Sequence, residues 1–146
     1  MRIGILGSGI VARTLGSGFI KHGHQVTLGT REPNQKEVRD WATKNADAAV
    51  GTFSEAAGFG DLLILAVLGS AAERVIELAR PEFFRGKTVI DTTNPLSNSP
   101  TVQGVLSYFT GSNESLAERI PTNPSGSACR QGIQQRGKCE DGESTL

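Results

Sequence analysis

A glycine-rich turn near the start of the chain has the residue types and the spacing of a phosphate-binding loop. It reads Gly7-Ser8-Gly9-Ile10-Val11-Ala12, follows a short apolar run and fits the pattern G-x-G-x-x-A. The first glycine permits a tight turn, the second lets a ligand approach the backbone, and alanine keeps a following helix close to a sheet. Free N–H groups at the start of that helix favour an anion. We therefore expect the pyrophosphate of a dinucleotide to contact Gly7, Ser8, Gly9, Ile10 and Val11, the alternative being a turn without a ligand.

The residues after the second apolar run carry the chemistry that distinguishes two dinucleotides. Arg31 follows the glycine turn by roughly the 20 residues that separate such turns from the ribose-binding residue in dinucleotide-binding domains. Its planar guanidinium suits a phosphate group, and the hydroxyl of Thr30 adds a hydrogen bond. These two residues favour NADP(H) over NAD(H). The alternative is that Glu32 accepts hydrogen bonds from the ribose of NAD(H) while Arg31 is solvated.

Short apolar runs alternate with amphipathic segments, and these elements must position the two groups of residues. The apolar runs predict buried strands at 2–6, 25–28, 48–50, 62–67 and 87–90. The other segments predict helices at 10–21, 34–44 and 112–120, and two that begin at the capping boxes Thr52-Phe53-Ser54-Glu55 and Ser70-Ala71-Ala72-Glu73. The first helix is predicted from Val11, Leu15 and Phe19, which recur at four-residue spacing. This alternation predicts a doubly wound α/β domain with a parallel sheet.

Two further turns follow the fourth and fifth predicted strands, at the edge of the sheet where the glycine turn also lies. Ala66, Val67 and Leu68 follow the fourth strand, and we expect them to contact the nicotinamide ribose mainly through the backbone. The stretch Asp91-Thr92-Thr93-Asn94-Pro95 ends the fifth strand, and its polar groups, with Asn94 among them, are expected to orient nicotinamide or substrate. The alternatives are ordinary loop packing for the first turn and an Asx or proline turn for the second.

The composition and charge exclude several classes of protein. The chain has 146 residues with 15 basic and 15 acidic side chains, so its formal charge is zero. General nucleic-acid and anionic-membrane binders normally need a basic surface. No apolar run approaches the roughly 18–20 residues of a membrane helix, and glycines interrupt the apolar start where a signal peptide would be continuous. We expect a cytoplasmic protein that binds small molecules and neither nucleic acid nor membrane.

Neither the cysteines nor the histidines predict a metal site or a nucleophile. Cys129 and Cys139 are too few for a disulfide framework, and no histidine lies near them in the sequence. His22 and His24 flank the end of a predicted helix without an acidic cluster, and we interpret them as surface residues. No catalytic residue is assigned, because hydride transfer by a cofactor mainly requires orientation by the protein.

The composition changes at Pro121. Residues 1–120 contain all the aromatic side chains, which are six Phe, one Trp and one Tyr. Residues 121–146 contain only Ile133 and Leu146 from the set of Ile, Leu and Val. Such a segment buries too little apolar surface to offset the entropy of ordering it. We therefore predict one folded domain over 1–120 and a disordered tail over 121–146.

Four stretches together resemble one family of proteins. They read GILGSGIVARTLGSGFIKHGHQVTLGTREP, GTFSEAAGFGDLLILAV, KTVIDTTNPL and GVLSYFTGSNESLAERI. They resemble the NADP-binding domain of the coenzyme F420-dependent NADP oxidoreductases over residues 1–120. The opening resembles, more distantly, the reductase domain of the six-transmembrane epithelial antigens of the prostate. The resemblance implies a Rossmann fold, NADP(H) held by residues 7–11 with Thr30 and Arg31 at the 2′-phosphate, and hydride exchange with a deazaflavin or flavin such as coenzyme F420.

The resemblance stops after Ile120, where the family continues with a strand that reads roughly V-K-A-F-N-S. The segment from Cys129 to Ser144 can be encoded by a set of codons that also encodes a second peptide in a shifted frame. When the first base of that set is dropped, it reads A-V-K-A-F-N-S-V-G-N-A-K-M-V-N, which contains the family's strand. We hypothesise that a frameshift near residues 119–128 truncated the domain and removed its C-terminal strand; incompatible codons in the gene would exclude this. A bare sheet edge then offers a surface for a homo-oligomer. The alternative functions are a non-catalytic NADP(H)-binding module and an inactive truncated gene product.

Overall fold

A parallel β-sheet forms the centre of the molecule, which a computed structural model describes over residues 1–94 and 129–131. Its strands are β1 Arg2–Leu6, β2 Gln25–Gly29, β3 Ala48–Gly51, β4 Leu62–Leu65, β5 Thr88–Asp91 and β6 Cys129–Gln131. Across the sheet they are ordered β3-β2-β1-β4-β5-β6. Strands β2 and β3 are added on one side of β1, and β4 and β5 are added on its other side. The point between β1 and β4 is therefore the switch point of a doubly wound fold. The predicted fold class is therefore confirmed.

Helices connect the first five strands and cover both faces of the sheet. They are α1 Ile10–Lys21, α2 Lys36–Thr43, α3 Phe53–Phe59 and α4 Ala72–Leu78, with short 3₁₀ helices at Gly69–Ala71 and Pro81–Phe84. Ile3 and Ile5 of β1 pack with α1 and α2, whereas Leu63 and Leu65 of β4 pack with α3 and α4 on the opposite face. Because both faces are buried, the strands consist of nearly continuous apolar runs, which is the pattern that predicted them.

The register of the sheet brings the carboxyl ends of five strands into one row. Leu6 of β1 pairs with Gly29 of β2 and with Leu65 of β4. Gly51 of β3 pairs with Gly29, and Asp91 of β5 pairs with Leu65. The turns that follow these strands therefore meet along one edge, where doubly wound sheets bind their ligands.

The strands and helices predicted up to residue 90 are present, with their ends displaced by a few residues. Helix α2 begins at Lys36 and not at 34, because the N–H of Gln35 first closes a turn onto the carbonyl of Glu32 at 3.1 Å. The helix predicted at 112–120 lies outside the described residues. In the described part of the chain, no helix is long and apolar enough to cross a membrane.

The second predicted capping box is wrong. Ser70 lies inside the 3₁₀ helix that precedes α4, and α4 begins after Ala71 with no side-chain cap. The cause is a tighter turn, in which the N–H of Ala71 donates to the carbonyl of Leu68 at 2.9 Å. This turn takes Ser70 away from the position at which its hydroxyl would cap the helix.

Small residues form the buried face of α1. Ala12 and Gly16 are its buried residues, while Leu15 and Phe19 pack partly exposed against the core. Val11 is 50% exposed and turns toward the carboxyl edge of the sheet. The small residues carry the contact because α1 lies close to the sheet and to α2.

The sixth strand is the one departure from the expected sheet. We expected the position beside β5 to be bare, but Cys129–Gln131 runs parallel to β5 there, with Ile90 opposite Arg130. No apolar pattern predicts this strand, because pairing at a sheet edge uses backbone N–H and C=O groups that every residue other than proline possesses. The rest of 121–146 lies outside the described residues, and its assignment as a tail stays a prediction.

Candidate functional site

A groove of about 530 Å³ runs along the carboxyl edge of the sheet. Its walls come from the glycine turn, the start of α1, the residues after β2, the residues after β4 and one side of α4. The volume lies within the roughly 300–1,000 Å³ that is typical of small-molecule sites. The groove spans the switch point between β1 and β4, so its position follows from the strand order.

The glycine turn is built so that its two glycines have different tasks. Gly7 has a φ of +141°, and a Cβ there would overlap the carbonyl oxygen of Ala66. Its N–H donates to the carbonyl of Gly29 at 2.9 Å, which ties the turn to the end of β2. A Cβ on Gly9 would meet no atom within 4 Å. Gly7 is thus required by the protein itself, whereas the space at Gly9 is open to a ligand.

The N-terminus of α1 opens into this groove without a cap from the protein. Gly9 occupies the N-cap position, no side chain accepts a hydrogen bond from the first turn, and that turn has no acidic residue. Ile10 and Val11 line the groove and are 72% and 50% exposed. The N–H groups and the positive end of the helix dipole are therefore available to an anion.

Ser8, Thr30 and Arg31 lie at the end of the groove next to β2. Thr30 is buried, and its Oγ1 accepts a hydrogen bond from Ser8 Oγ at 3.1 Å. The same oxygen accepts from the N–H of Glu32 at 3.3 Å. Arg31 and Glu32 are exposed and both line the groove. A hydroxyl and a guanidinium are thus brought together at this end, with one carboxylate beside them.

The turn after β4 forms the other end of the groove through Ala66, Val67 and Leu68. The N–H of Ala66 donates to the carbonyl of Leu6 at 2.9 Å, so this turn continues the pairing of β4 with β1. Leu68 is 69% exposed and forms an apolar rim. The three residues are therefore held at the switch point, as expected from the sequence.

The turn after β5 is closed by its own polar side chains. Asp91 Oδ1 accepts from the N–H of Thr93 at 2.8 Å, and Thr92 Oγ1 donates to the carbonyl of Leu65 at 2.8 Å. These bonds form the Asx turn that the sequence offered as one alternative. Thr92 lines the groove, whereas Asn94 is exposed and does not line it. Asn94 is thus the one residue in our predicted set that the structure does not bring to the groove.

A capping box fixes the start of α3 beside the groove. The Oε2 atom of Glu55 accepts from the N–H of Thr52 at 2.6 Å and from its hydroxyl at 2.9 Å, while the N–H of Glu55 donates to Thr52 Oγ1. The hydrogen bonds from the backbone and the hydroxyl of Thr52 lower the pKa of Glu55 below its ordinary value of 4.5. This cap holds Phe53, the first residue of α3, which lines the groove.

The fold and the groove agree with one family of known proteins. The family described as NADP oxidoreductase, coenzyme F420-dependent, matches residues 2–95. The chain belongs to this family. No curated protein matches the chain in sequence.

Solved structures of reductases contain the same fold as this chain. A candidate F420-dependent NADP reductase from Arthrobacter sp. FB24 is 28% identical with a TM-score of 0.75, over 82% of this chain and 56% of that protein. An Aspergillus terreus reductive aminase in complex with NADPH and ethyl levulinate is 25% identical with a TM-score of 0.54, over 64% and 32%. The chain thus spans about half the length of the first protein and a third of the second.

One wall of the groove was missed by sequence reasoning. It consists of four residues on one side of the segment that forms α4 and its approach, namely Ala71, Arg74, Val75 and Leu78. Their spacing is that of a single helix face, and α4 follows a strand that ends at the binding edge. That signal was present in the sequence, but we predicted only a helix there and assigned none of its residues to the site. Arg74 is exposed and forms an ion pair with Glu77 at 2.8 Å.

The histidines lie away from the groove. The ring of His24 lies 6.2 Å from that of Phe19, centroid to centroid, and His22 follows the last residue of α1. Within residues 1–94 and 129–131, no group of three or more His, Cys, Asp or Glu residues is arranged to hold a metal ion.

Proposed function

We propose that the groove binds NADP(H) and that the domain serves hydride transfer between NADP(H) and a deazaflavin- or flavin-type acceptor such as coenzyme F420. In this proposal Gly7, Ser8, Gly9, Ile10 and Val11 hold the pyrophosphate, and Thr30 and Arg31 hold the 2′-phosphate. Ala66, Val67 and Leu68 contact the nicotinamide ribose. Asn94 contacts the nicotinamide side only if the turn after β5 rearranges, since Asn94 does not line the groove.

The observation that carries the proposal is the uncapped start of α1 beside the open space at Gly9. The first-turn N–H groups receive no side-chain cap, and nothing in the described residues lies within 4 Å of a Cβ built on Gly9. A pyrophosphate can therefore approach the backbone, accept hydrogen bonds from those N–H groups and lie at the positive end of the helix dipole. The residues present thus fit a dinucleotide phosphate.

The preference for NADP(H) rests on the residues after β2. Arg31 is exposed at the groove and forms no ion pair within the described residues, so its guanidinium is available for a phosphate. The hydroxyl of Thr30 lies one residue before it at the same end of the groove. The alternative is a preference for NAD(H), in which the carboxylate of Glu32 would accept hydrogen bonds from the ribose hydroxyls.

The chemistry is supplied by bound NADP(H), whose nicotinamide donates or accepts the hydride. The protein positions the ring and keeps water from it with apolar side chains, of which Leu68 and Ile10 are the most exposed at the groove. An exposed apolar rim suits a planar acceptor that must lie against the nicotinamide. The family description and the reductases that resemble this chain support an oxidoreductase role.

A thermal melt of the 146-residue chain with and without cofactor tests binding. NADPH at 100 times its dissociation constant adds about 2.7 kcal/mol to the free energy of unfolding, which raises the melting temperature by several degrees. NADH at the same concentration is expected to raise it less. A melt unchanged by NADPH would contradict the proposal.

Turnover is tested separately by adding coenzyme F420, FMN or FAD to the complex and following the loss of NADPH absorbance. Oxidation of NADPH that depends on the acceptor supports hydride transfer. Binding of NADPH without turnover by any of the three acceptors would favour the non-catalytic module.

A further inference from the structure

The turn after β5 brings one hydroxyl group to the groove. Thr92 follows the last residue of β5 and lines the groove. Its N–H donates to the carbonyl of Leu65 at 3.0 Å, which continues the pairing of β5 with β4. On its other side, Asp91 Oδ1 accepts from the N–H of Thr93 at 2.8 Å and closes the turn. These hydrogen bonds fix the backbone that carries the hydroxyl of Thr92.

The proton of this hydroxyl is already used within the protein. Thr92 Oγ1 donates to the carbonyl of Leu65 at 2.8 Å, so that carbonyl accepts from both the N–H and the hydroxyl of Thr92. A threonine hydroxyl has one proton and two lone pairs. Among residues 1–94 and 129–131, no group donates a hydrogen bond to Thr92 Oγ1. Toward a ligand in the groove, Thr92 therefore accepts hydrogen bonds and does not donate them.

The strand order places Thr92 at the end of the groove opposite to Thr30. Thr30 follows β2 and Thr92 follows β5, and the strands between them run β2-β1-β4-β5. Three spacings between neighbouring strands separate the two residues by roughly 14 Å across the sheet. Thr92 is bonded to Leu65, which directly precedes the turn proposed for the nicotinamide ribose. The part of a dinucleotide that lies beyond that ribose is the nicotinamide ring.

We propose that Thr92 accepts a hydrogen bond from the amino group of the nicotinamide carboxamide, an inference that rests on the NADP(H) site proposed above. A primary carboxamide has an amino group that donates and a carbonyl oxygen that accepts. Only the amino group matches a hydroxyl whose proton is already used. The contact thus determines which way the carboxamide points, and it helps to hold the ring in one orientation. Orientation of the ring is the main task of the protein in hydride transfer by a cofactor.

The test compares NADP⁺ with two analogues that differ from it only at the carboxamide. The 3-acetylpyridine analogue has a methyl group in place of the amino group. The thionicotinamide analogue keeps the amino group and has sulfur in place of the carbonyl oxygen. Calorimetric titration of the 146-residue chain is expected to show that NADP⁺ and the thionicotinamide analogue bind about three- to ten-fold more tightly than the acetylpyridine analogue, as for one hydrogen bond.

Substitutions at Thr92 assign that preference to its hydroxyl. Thr92→Val removes the accepting oxygen, and it is expected to weaken NADP⁺ and the thionicotinamide analogue about three- to ten-fold and the acetylpyridine analogue by less than about two-fold. Thr92→Ser keeps a hydroxyl and should retain the preference. Thr93→Val is the matched control, because Thr93 does not line the groove, and it should bind all three dinucleotides as the parent chain does.

Two results would overturn the inference. Equal losses for all three dinucleotides in Thr92→Val would mean that Thr92 only supports the turn. A parent chain that binds the three dinucleotides equally would show that no group accepts from the amino group, and this result needs no variant. Thermal melts verify that each variant folds, and the measurements on the parent chain decide the matter should Thr92→Val not fold.

Binding of 2′,5′-ADP, which has no nicotinamide, separates this failure from failure of the proposed function. A parent chain that binds 2′,5′-ADP but does not distinguish the three dinucleotides keeps the proposed phosphate site and contradicts the role of Thr92. A parent chain that binds neither 2′,5′-ADP nor NADP⁺ contradicts the proposed function and the role of Thr92 together.

Discussion

A side chain on Gly7 would overlap the carbonyl oxygen of Ala66, so the turn after β1 and the turn after β4 are in direct contact. The two turns lie on either side of the switch point of the sheet. Their contact sets the separation between the residues proposed for the pyrophosphate and those proposed for the nicotinamide ribose. A substitution at Gly7 is therefore expected to displace both turns, whereas a substitution at Gly9 is expected to leave the turn after β4 in place.

Gly7→Ala is expected to destabilise the fold, and Gly9→Ala is expected to spare the fold and impair binding. The φ of +141° at Gly7 costs an alanine about 1–3 kcal/mol, and the overlap with Ala66 adds about 1–3 kcal/mol. At Gly9 a methyl group meets open space, so the free energy of unfolding should change by less than about 0.5 kcal/mol. That methyl group would occupy the approach of the pyrophosphate and weaken NADPH by about ten-fold or more.

Urea unfolding and NADPH titration of the two variants measure these effects side by side. A Gly9→Ala variant that binds NADPH as tightly as the parent would argue that the phosphates do not approach this turn. A Gly7→Ala variant as stable as the parent would contradict the close contact with Ala66.

Arg31→Ala is expected to weaken NADPH by about 1.5–3 kcal/mol, as for the loss of a charge-assisted hydrogen bond, and to leave NADH nearly unchanged. Arg39→Ala is a matched control, because Arg39 is an exposed arginine of α2 that does not line the groove. Calorimetric titration with both cofactors distinguishes the cases. Equal losses of affinity for NADPH and NADH would mean that Arg31 has a structural role. Glu32 would then be the residue expected to determine which cofactor binds.

Much of the candidate site could be predicted because its parts are local in sequence. The glycine turn, Thr30 and Arg31 each follow an apolar run directly, and the strand order of a doubly wound sheet brings such positions together. The hydrogen bond between Ser8 and Thr30 could not be predicted, since it depends on the register of β1 and β2 and on two side-chain rotamers. The strand at Cys129–Gln131 could not be predicted either, because its pairing with β5 uses backbone groups and requires no apolar pattern in the sequence.

The face that α1 buries illustrates a second limit. The four-residue spacing of larger apolar residues predicts the helix, but it does not predict that the small residues Ala12 and Gly16 form its buried face. A Cβ on Gly16 would lie 2.8 Å from Cζ2 of Trp41, whose indole N–H donates to Ser17 Oγ at 2.8 Å. Hydrophobic spacing alone does not reveal that two helices approach this closely.

Gly16→Ala and Gly18→Ala are therefore expected to change stability in opposite directions. Both glycines lie within α1, where alanine is favoured by about 1 kcal/mol. At Gly18 no atom lies within 4 Å of the new methyl group, so we expect a gain of about 0.5–1 kcal/mol. At Gly16 overpacking against Trp41 costs about 1–3 kcal/mol and outweighs the gain in helix propensity. Urea unfolding monitored by Trp41 fluorescence measures both, and a stabilised Gly16→Ala variant would contradict the tight contact.

The capping box of α3 predicts how stability depends on pH. Hydrogen bonds from Thr52 lower the pKa of Glu55 in the folded chain, and the guanidinium of Arg2 lowers the pKa of Asp61. The unfolded chain then binds more protons than the folded chain, so the free energy of unfolding rises with pH in the acidic range. This contribution is fully present above the ordinary values of 4.5 for Glu55 and 3.8 for Asp61, and it is lost as the pH falls through the lowered values.

Urea unfolding of Glu55→Gln between about pH 3 and pH 7 tests this dependence. Glutamine can still accept a hydrogen bond from Thr52 but does not titrate, so the variant should lose part of the acid dependence and keep the part due to Asp61. Asp61→Asn is the matched variant, and it should lose the other part while the capping box stays intact. Because both carboxylates are exposed, added salt should reduce the contribution of the Arg2–Asp61 ion pair more than that of the backbone hydrogen bond to Glu55. An acid dependence identical in the parent and in Glu55→Gln would mean that the capping box forms equally well with a protonated carboxyl group.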